Sequence, residues 1–142
     1  MEYLNQLEKM LESGHRLITM ETYEVSRVCD LLLELSRFSP KPYYLAQPEQ
    51  AMHRLGASHI GIPRTQTPED LMEHIEASNH FGIYILRDYT HILESEDMVE
   101  DLISIATGDT HKIVVMVAEH IKLPSQLKPF AVRSKHQMKD TG

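Results

Sequence analysis

Two nearly continuous apolar runs constrain what this chain can fold into more than any other feature. The segments FGIYIL, from Phe81, and KIVVMVA, from Lys112, carry apolar side chains at consecutive rather than alternate positions. Strands of this kind bury both faces, as central strands do in parallel sheets that are covered by helices on both sides. The sequence therefore predicts an α/β fold, a three-layer sandwich with a mainly parallel sheet of about five strands.

Helical and extended patterns alternate along the rest of the chain. Apolar residues recur at helical spacing over residues 3–11 and 25–35, which predicts two amphipathic helices. Thr67 and Ser95 precede two further helices, because a hydroxyl can cap the first turn and proline or acidic residues follow. Further strands are predicted at 17–20 and 43–47, and residues 130–132 can add an edge strand.

Length, charge and cysteine content exclude several classes of function. With 142 residues the chain fits one domain, expected to span 1–133, followed by a polar flexible tail at 134–142. A net charge of −7 repels nucleic acid, and no segment approaches the roughly 18–20 apolar residues that cross a membrane. Cys29 stands alone and the first residues lack a secretory signal, so a reducing, cytoplasmic location is expected.

The junction between the first strand and the second helix lies where nucleotide hydrolases hold phosphate. That site requires glycines and a lysine, so that backbone N–H groups and a positive charge converge on the phosphates. This chain has no Gly-Lys pair and carries Glu21, Thr22, Tyr23 and Glu24 instead. Two carboxylates repel phosphate, so neither triphosphate hydrolysis nor a nucleotide cofactor is expected, and no catalytic residue is predicted. The structural alternative is that Thr22 and Glu24 only cap the helix.

Acidic residues also follow the other predicted central strands. Ligands bind beyond the carboxyl ends of strands in open parallel sheets, so Asp88 and Glu119 join the candidate ligand-binding residues Thr22, Tyr23 and Glu24. An aspartate after an apolar strand is typical of magnesium sites, but without phosphates the ion has nothing to bridge. The favoured interpretation of Asp88 is therefore structural, as the partner of Arg87 or of a neighbouring loop.

The nine histidines do not have the spacing of a metal site. His53 and His59 are six residues apart, as are His74 and His80, and this spacing does not place two imidazoles on one helical face. No H-E-x-x-H, C-x-x-C or G-x-S-x-G motif occurs, and Cys29 falls among the buried positions of a helix. Neither a metal site nor a nucleophilic active site is predicted.

Three segments together resemble the amino-terminal domain of the chloroplast-type reading-frame AAA ATPases. They are LITMETYEVSRV, FGIYILRDYTHIL and IVVMVAEHIKLPSQLKPF, in the order in which they occur here. In that family a degenerate P-loop-like domain precedes the catalytic ATPase module. The resemblance implies a P-loop NTPase-like fold without catalysis, with Thr22, Tyr23, Glu24 and Asp88 at the matching positions.

These observations favour a non-enzymatic interaction or regulatory module, whose partner is another protein, such as a larger ATPase, or a second copy of the chain. The alternative is a small ligand-binding or metal-binding protein, or an enzyme, that uses the acidic residues at the strand ends. An interface is predicted in the segment from Pro48 to Thr67, where weak periodicity indicates a long loop and Met52, Leu55 and Ile60 supply apolar surface.

Overall fold

A six-stranded sheet forms the centre of the computed structural model, which describes residues 2–109 and 111–135. The elements are α1 (Glu2–Leu11), β1 (Leu17–Glu21), α2 (Val25–Arg37), β2 (Tyr43–Ala46), β3 (His53–Arg54), α3 (Pro68–Ala77), β4 (Gly82–Arg87), α4 (Glu96–Thr107), β5 (Lys112–Ala118) and β6 (Ala131–Lys135). Short 3₁₀ helices span Thr90–Glu94 and Lys128–Phe130. The strand order is β3-β2-β4-β5-β1-β6, and every neighbouring pair is parallel except β2 with β3.

Helices cover both faces of the sheet. Alternate residues of β5 enter different cores: Ile113 and Val115 pack with α1 and α2, whereas Val114 and Met116 pack with α3 and α4. All seven residues of β5 are buried, as the continuous apolar run predicted. The predicted three-layer α/β sandwich of P-loop NTPase-like type is confirmed. Across the described part of the chain, no helix has the length and apolar character to cross a bilayer.

The predicted helix starts are formed by hydroxyl caps. Thr67 Oγ1 accepts a hydrogen bond of 3.2 Å from the N–H of Asp70, with Pro68 in the first turn of α3. Ser95 Oγ accepts one of 3.4 Å from the N–H of Met98 at the start of α4. Such caps each stabilise a helix by about 1 kcal/mol, since they satisfy N–H groups that have no partner within the helix.

A buried lysine joins the sheet to the end of α3, which the sequence pattern did not predict. Nζ of Lys112 donates hydrogen bonds of 2.8 Å to the carbonyl oxygens of Ile75 and Glu76. These carbonyls lie in the last turn of α3, where the Ile75 carbonyl also accepts the N–H of Ser78, and the positive charge suits the negative end of the helix dipole. Burial lowers the pKa of Lys112, while the Glu76 carboxylate opposes that shift.

The predicted long loop at 48–67 contains a short strand and a buried hydrogen-bond anchor. β3 pairs antiparallel with β2, with Leu45 opposite His53. Thr65 is fully buried; its Oγ1 accepts a hydrogen bond of 2.7 Å from the N–H of Met52 and donates one of 2.8 Å to the Ile62 carbonyl. The segment is therefore anchored to the domain through backbone groups.

The edge strand predicted at 130–132 forms as β6, which runs from Ala131 to Lys135 alongside β1. It pairs in parallel, with Leu17 opposite Ala131 and Glu21 opposite Lys135. The first two residues of the predicted tail therefore belong to the sheet. The remaining residues of that tail, 136–142, lie outside the described residues.

Candidate functional site

The junction after β1 is closed by Thr22. The N–H of this buried residue donates a hydrogen bond of 2.9 Å to the Ala118 carbonyl, which extends the β1–β5 pairing by one step. Its Oγ1 accepts one of 3.0 Å from the N–H of Glu24. Glu24 holds the position before the first helical residue of α2, but its side chain makes no capping hydrogen bond. Thr22 therefore bonds the residue that precedes α2, and not an N–H of the helix itself.

Tyr23 and Glu21, the other residues of the junction, contact different groups. Tyr23 is 75% exposed, and its ring meets the imidazole of His120 edge to face, with 5.7 Å between ring centroids. Oε2 of Glu21 accepts a hydrogen bond of 2.9 Å from the N–H of Ile121. The Glu21 carboxylate thus ties the segment after β5 back to β1.

Asp88 lies beside Arg87, one of the two contacts that the sequence favoured for it. Its Oδ2 lies 3.7 Å from Nε of Arg87, and an Arg87 terminal nitrogen donates a hydrogen bond of 2.7 Å to Ser26 Oγ on α2. The N–H of Asp88 donates one of 3.0 Å to the Val117 carbonyl, and its φ of +58° places it in the left-handed region. Aspartate tolerates that region better than most residues do, so Asp88 suits the tight turn that follows β4.

The single cysteine, Cys29, is buried on α2. Burial raises the pKa of Cys29 to about 11, against an opposing effect from the nearby Arg87. A thiol with so high a pKa stays protonated near neutral pH, and the thiolate is the reactive form. This agrees with the sequence interpretation of Cys29 as a buried apolar residue.

Tyr89 also lies at this edge, and the sequence predicted no role for it. Its side chain is fully buried, and its hydroxyl has no hydrogen-bond partner among the residues that the structure describes. Burial, and secondarily the Glu69 carboxylate, raises the pKa of Tyr89. Its ring stacks on His91, with 5.3 Å between centroids. The aromatic ring fills the core below the turn, and none of the described residues bonds the hydroxyl.

A cationic cleft beside β1, β5 and β6 is a feature that sequence reasoning missed. It joins a cavity of about 750 Å³ to a neighbouring one of about 400 Å³. We use "cationic cleft" for this pair of cavities, which Lys122 and Lys128 both line and to which Arg133 contributes at the smaller cavity. Lys128 lies in the 3₁₀ helix before β6, and Arg133 lies in β6 itself.

The predicted acidic cluster is divided among separate contacts. The carboxylate of Glu21 binds the N–H of Ile121, that of Asp88 pairs with Arg87, and Glu119 is exposed. Within residues 2–109 and 111–135, no group of three or more His, Cys, Asp or Glu side chains is placed to hold a metal ion.

The predicted interface residues differ in accessibility. Met52 is fully buried in the core beside α3 and α4, and Leu55 is half-buried against the opposite core. Ile60 is 59% exposed. Of the three, Ile60 and part of Leu55 therefore offer surface to a partner, and their role in association stays a prediction.

The parallel sheet, its two helical layers and the strand-to-helix junction after β1 define a P-loop NTPase-like domain. Residues 3–136 match the family described as SpoVK-like AAA ATPase, N-terminal domain, and the chain belongs to this family. The expected relation to an amino-terminal domain of AAA ATPases is thereby confirmed. Among curated proteins, none matches the chain.

Proposed function

We propose that this domain is a non-enzymatic interaction or regulatory module whose phosphate-binding junction is degenerate. The proposal rests on the hydrogen bonds that backbone N–H groups make at this junction and in the segment beside it. The N–H of Thr22 bonds the Ala118 carbonyl, that of Glu24 bonds Thr22 Oγ1, and that of Ile121 bonds the Glu21 carboxylate. Two N–H groups of the turn between β1 and α2, those of Thr22 and Glu24, are therefore engaged within the protein and not directed toward a phosphate.

Charge at the junction supports the same proposal. Phosphate sites at the start of a helix combine free N–H groups with the positive end of the helix dipole. Here Glu21 and Glu24 flank the turn, so a bound phosphate meets two carboxylates before it reaches α2. Repulsion between like charges in a partly dry site opposes binding by an amount on the order of several kcal/mol.

The surroundings of Asp88 argue against a magnesium site for a related reason. Magnesium in nucleotide sites is held by one or two carboxylates together with substrate phosphates. The Asp88 carboxylate lies beside Arg87, whose positive charge competes with a divalent cation for the same oxygens. If the phosphate site is degenerate as proposed, no nucleotide-bound metal ion is present for the Asp88 carboxylate to coordinate.

The partner under this proposal is a protein, either a larger ATPase or a second copy of the chain. Membership of a family of AAA ATPase amino-terminal domains supports an ATPase partner. The resemblance to the chloroplast-type subgroup remains part of the proposal. Light scattering over a concentration series tests self-association. Ile60→Asp is the variant for this test, because the side chain is exposed and its replacement does not disturb the core.

Nucleotide binding provides the direct test. We expect no nucleotide binding, so ATP or GTP with Mg²⁺ should leave the melting temperature within about 1 °C of the value in buffer. Binding would be visible in this measurement, because a ligand at 100 times its Kd stabilises the folded state by about 2.7 kcal/mol. A saturable shift of several degrees, confirmed by isothermal titration and lost in Asp88→Asn, would overturn the proposal. Titration with Mg²⁺ or Mn²⁺ alone tests the acidic-residue alternative with the same variant.

A further inference from the structure

The cationic cleft gathers positive charge on a protein that is otherwise acidic. The chain has 14 lysine and arginine residues against 21 acidic ones, for a net charge of −7. Lys122, Lys128 and Arg133 nevertheless line two adjoining cavities and are all exposed. A local concentration of one sign of charge in a concave surface raises the local concentration of ligands of the opposite sign.

None of these three cations forms an ion pair within 4.0 Å with a carboxylate of the residues that the structure describes. Among the described side chains, the ion pair within 4.0 Å is that of Arg87 with Asp88, and none involves the cations of the cleft. Two acidic residues, Glu21 and Glu94, also line the cavities. The Glu21 carboxylate already accepts the N–H of Ile121, so it is held toward the backbone.

The cleft combines these charges with apolar surface. Leu123 lines both cavities, and Leu93 and Pro124 line the larger one. Thr90 and Ser125 add hydroxyl groups that can donate or accept hydrogen bonds. A ligand that fits this lining carries carboxylates together with apolar side chains.

The arrangement favours an extended acidic peptide over a compact anion. The cations line two adjoining cavities of about 750 and 400 Å³, which together hold a larger ligand than a single phosphate. Ile121 lines the smaller cavity, and its backbone N–H is already bound to the Glu21 carboxylate.

We propose that the cationic cleft binds an acidic, leucine- or phenylalanine-containing peptide segment of a protein partner. This inference rests on the proposed interaction function and assigns it a surface and a partner chemistry. Lys122, Lys128 and Arg133 contact carboxylates of the peptide, while Leu93, Leu123 and Pro124 contact its apolar side chains.

Fluorescence anisotropy with a short fluorescein-labelled peptide of alternating glutamate and leucine tests the proposal on the full chain. We expect saturable binding that weakens as NaCl is raised, because salt screens exposed charge pairs. The triple variant Lys122→Gln, Lys128→Gln, Arg133→Gln should bind about tenfold more weakly, since each exposed charge contact contributes modestly and three act together.

The matched control removes three exposed cations elsewhere, with Lys9→Gln, Arg27→Gln and Arg54→Gln. It changes the net charge equally, so the proposal requires it to retain most of the affinity. A peptide with glutamine in place of glutamate should not bind, and circular dichroism confirms that both triple variants are folded.

Three results would overturn the inference: no saturable binding of the acidic peptide, equal loss in both triple variants, or binding of inorganic phosphate or ATP in the cleft without peptide binding. Absence of peptide binding leaves the proposed interaction function intact, since another surface can serve it. The proposed function fails instead on the Mg²⁺–nucleotide measurement with Asp88→Asn.

Discussion

Replacement of Thr65 by valine should destabilise the domain strongly, although the two side chains have nearly the same shape. Thr65 Oγ1 bonds the N–H of Met52 at 2.7 Å and the carbonyl of Ile62 at 2.8 Å, and Thr65 itself is fully buried. Valine keeps the volume but provides neither donor nor acceptor. The substitution therefore isolates the effect of the hydroxyl.

The expected loss follows from the groups left without partners. A buried polar group that loses its hydrogen bond costs about 1–3 kcal/mol. The Met52 N–H loses its bond in a buried position, whereas the Ile62 carbonyl is only partly buried. With a small gain from the more apolar side chain, we expect a net loss of about 2–3 kcal/mol, against a total stability of about 5–15 kcal/mol.

Urea unfolding followed by circular dichroism measures this loss. The midpoint should fall by roughly 1–2 M, since the slope for small proteins is about 1–3 kcal/mol per molar urea. Thr107→Val is the matched control, because Thr107 is exposed and its hydroxyl donates a single hydrogen bond to the Ile103 carbonyl. That control should change the free energy of unfolding by less than about 0.5 kcal/mol. Equal midpoints for wild type and Thr65→Val would refute the assigned role of Thr65.

Two further predictions concern Tyr89 and His111. Tyr89→Phe removes a buried hydroxyl without a partner in the described structure, so it should raise the free energy of unfolding by about 1 kcal/mol in thermal melts, and a clear loss would show that the hydroxyl is satisfied. Burial, and then Arg16 and Lys41, lowers the pKa of His111 below 6.5. As the pH falls below 6.5, His111 binds more protons in the unfolded chain than in the folded one. The free energy of unfolding therefore decreases as the pH falls from 6.5 to the lower folded-state pKa. His111→Gln should reduce that dependence in urea titrations across the window, and an unchanged slope would contradict it.

The sequence determined the main architecture because its signals are local and repeated. The apolar runs at β4 and β5 required both strand faces to be buried, and the structure buries them on both sides. Thr67 and Ser95 marked the starts of α3 and α4, since a capping hydrogen bond spans only three residues. The missing phosphate motif and the isolated, buried Cys29 were likewise readable from residue types alone.

Only the tertiary structure decided which residues meet across the carboxyl edge of the sheet. β3 has two residues, too few for any periodicity, and it forms because β2 presents a free edge. Met52 appeared in a loop-like segment, yet the bond from its N–H to Thr65 fixes it in the core. The cations of the cleft lie up to eleven positions apart, at 122, 128 and 133, and they line a common surface because β6 returns alongside β1. Strand pairing over more than a hundred positions brings Leu17 opposite Ala131, and periodicity within a short window carries no information about such contacts.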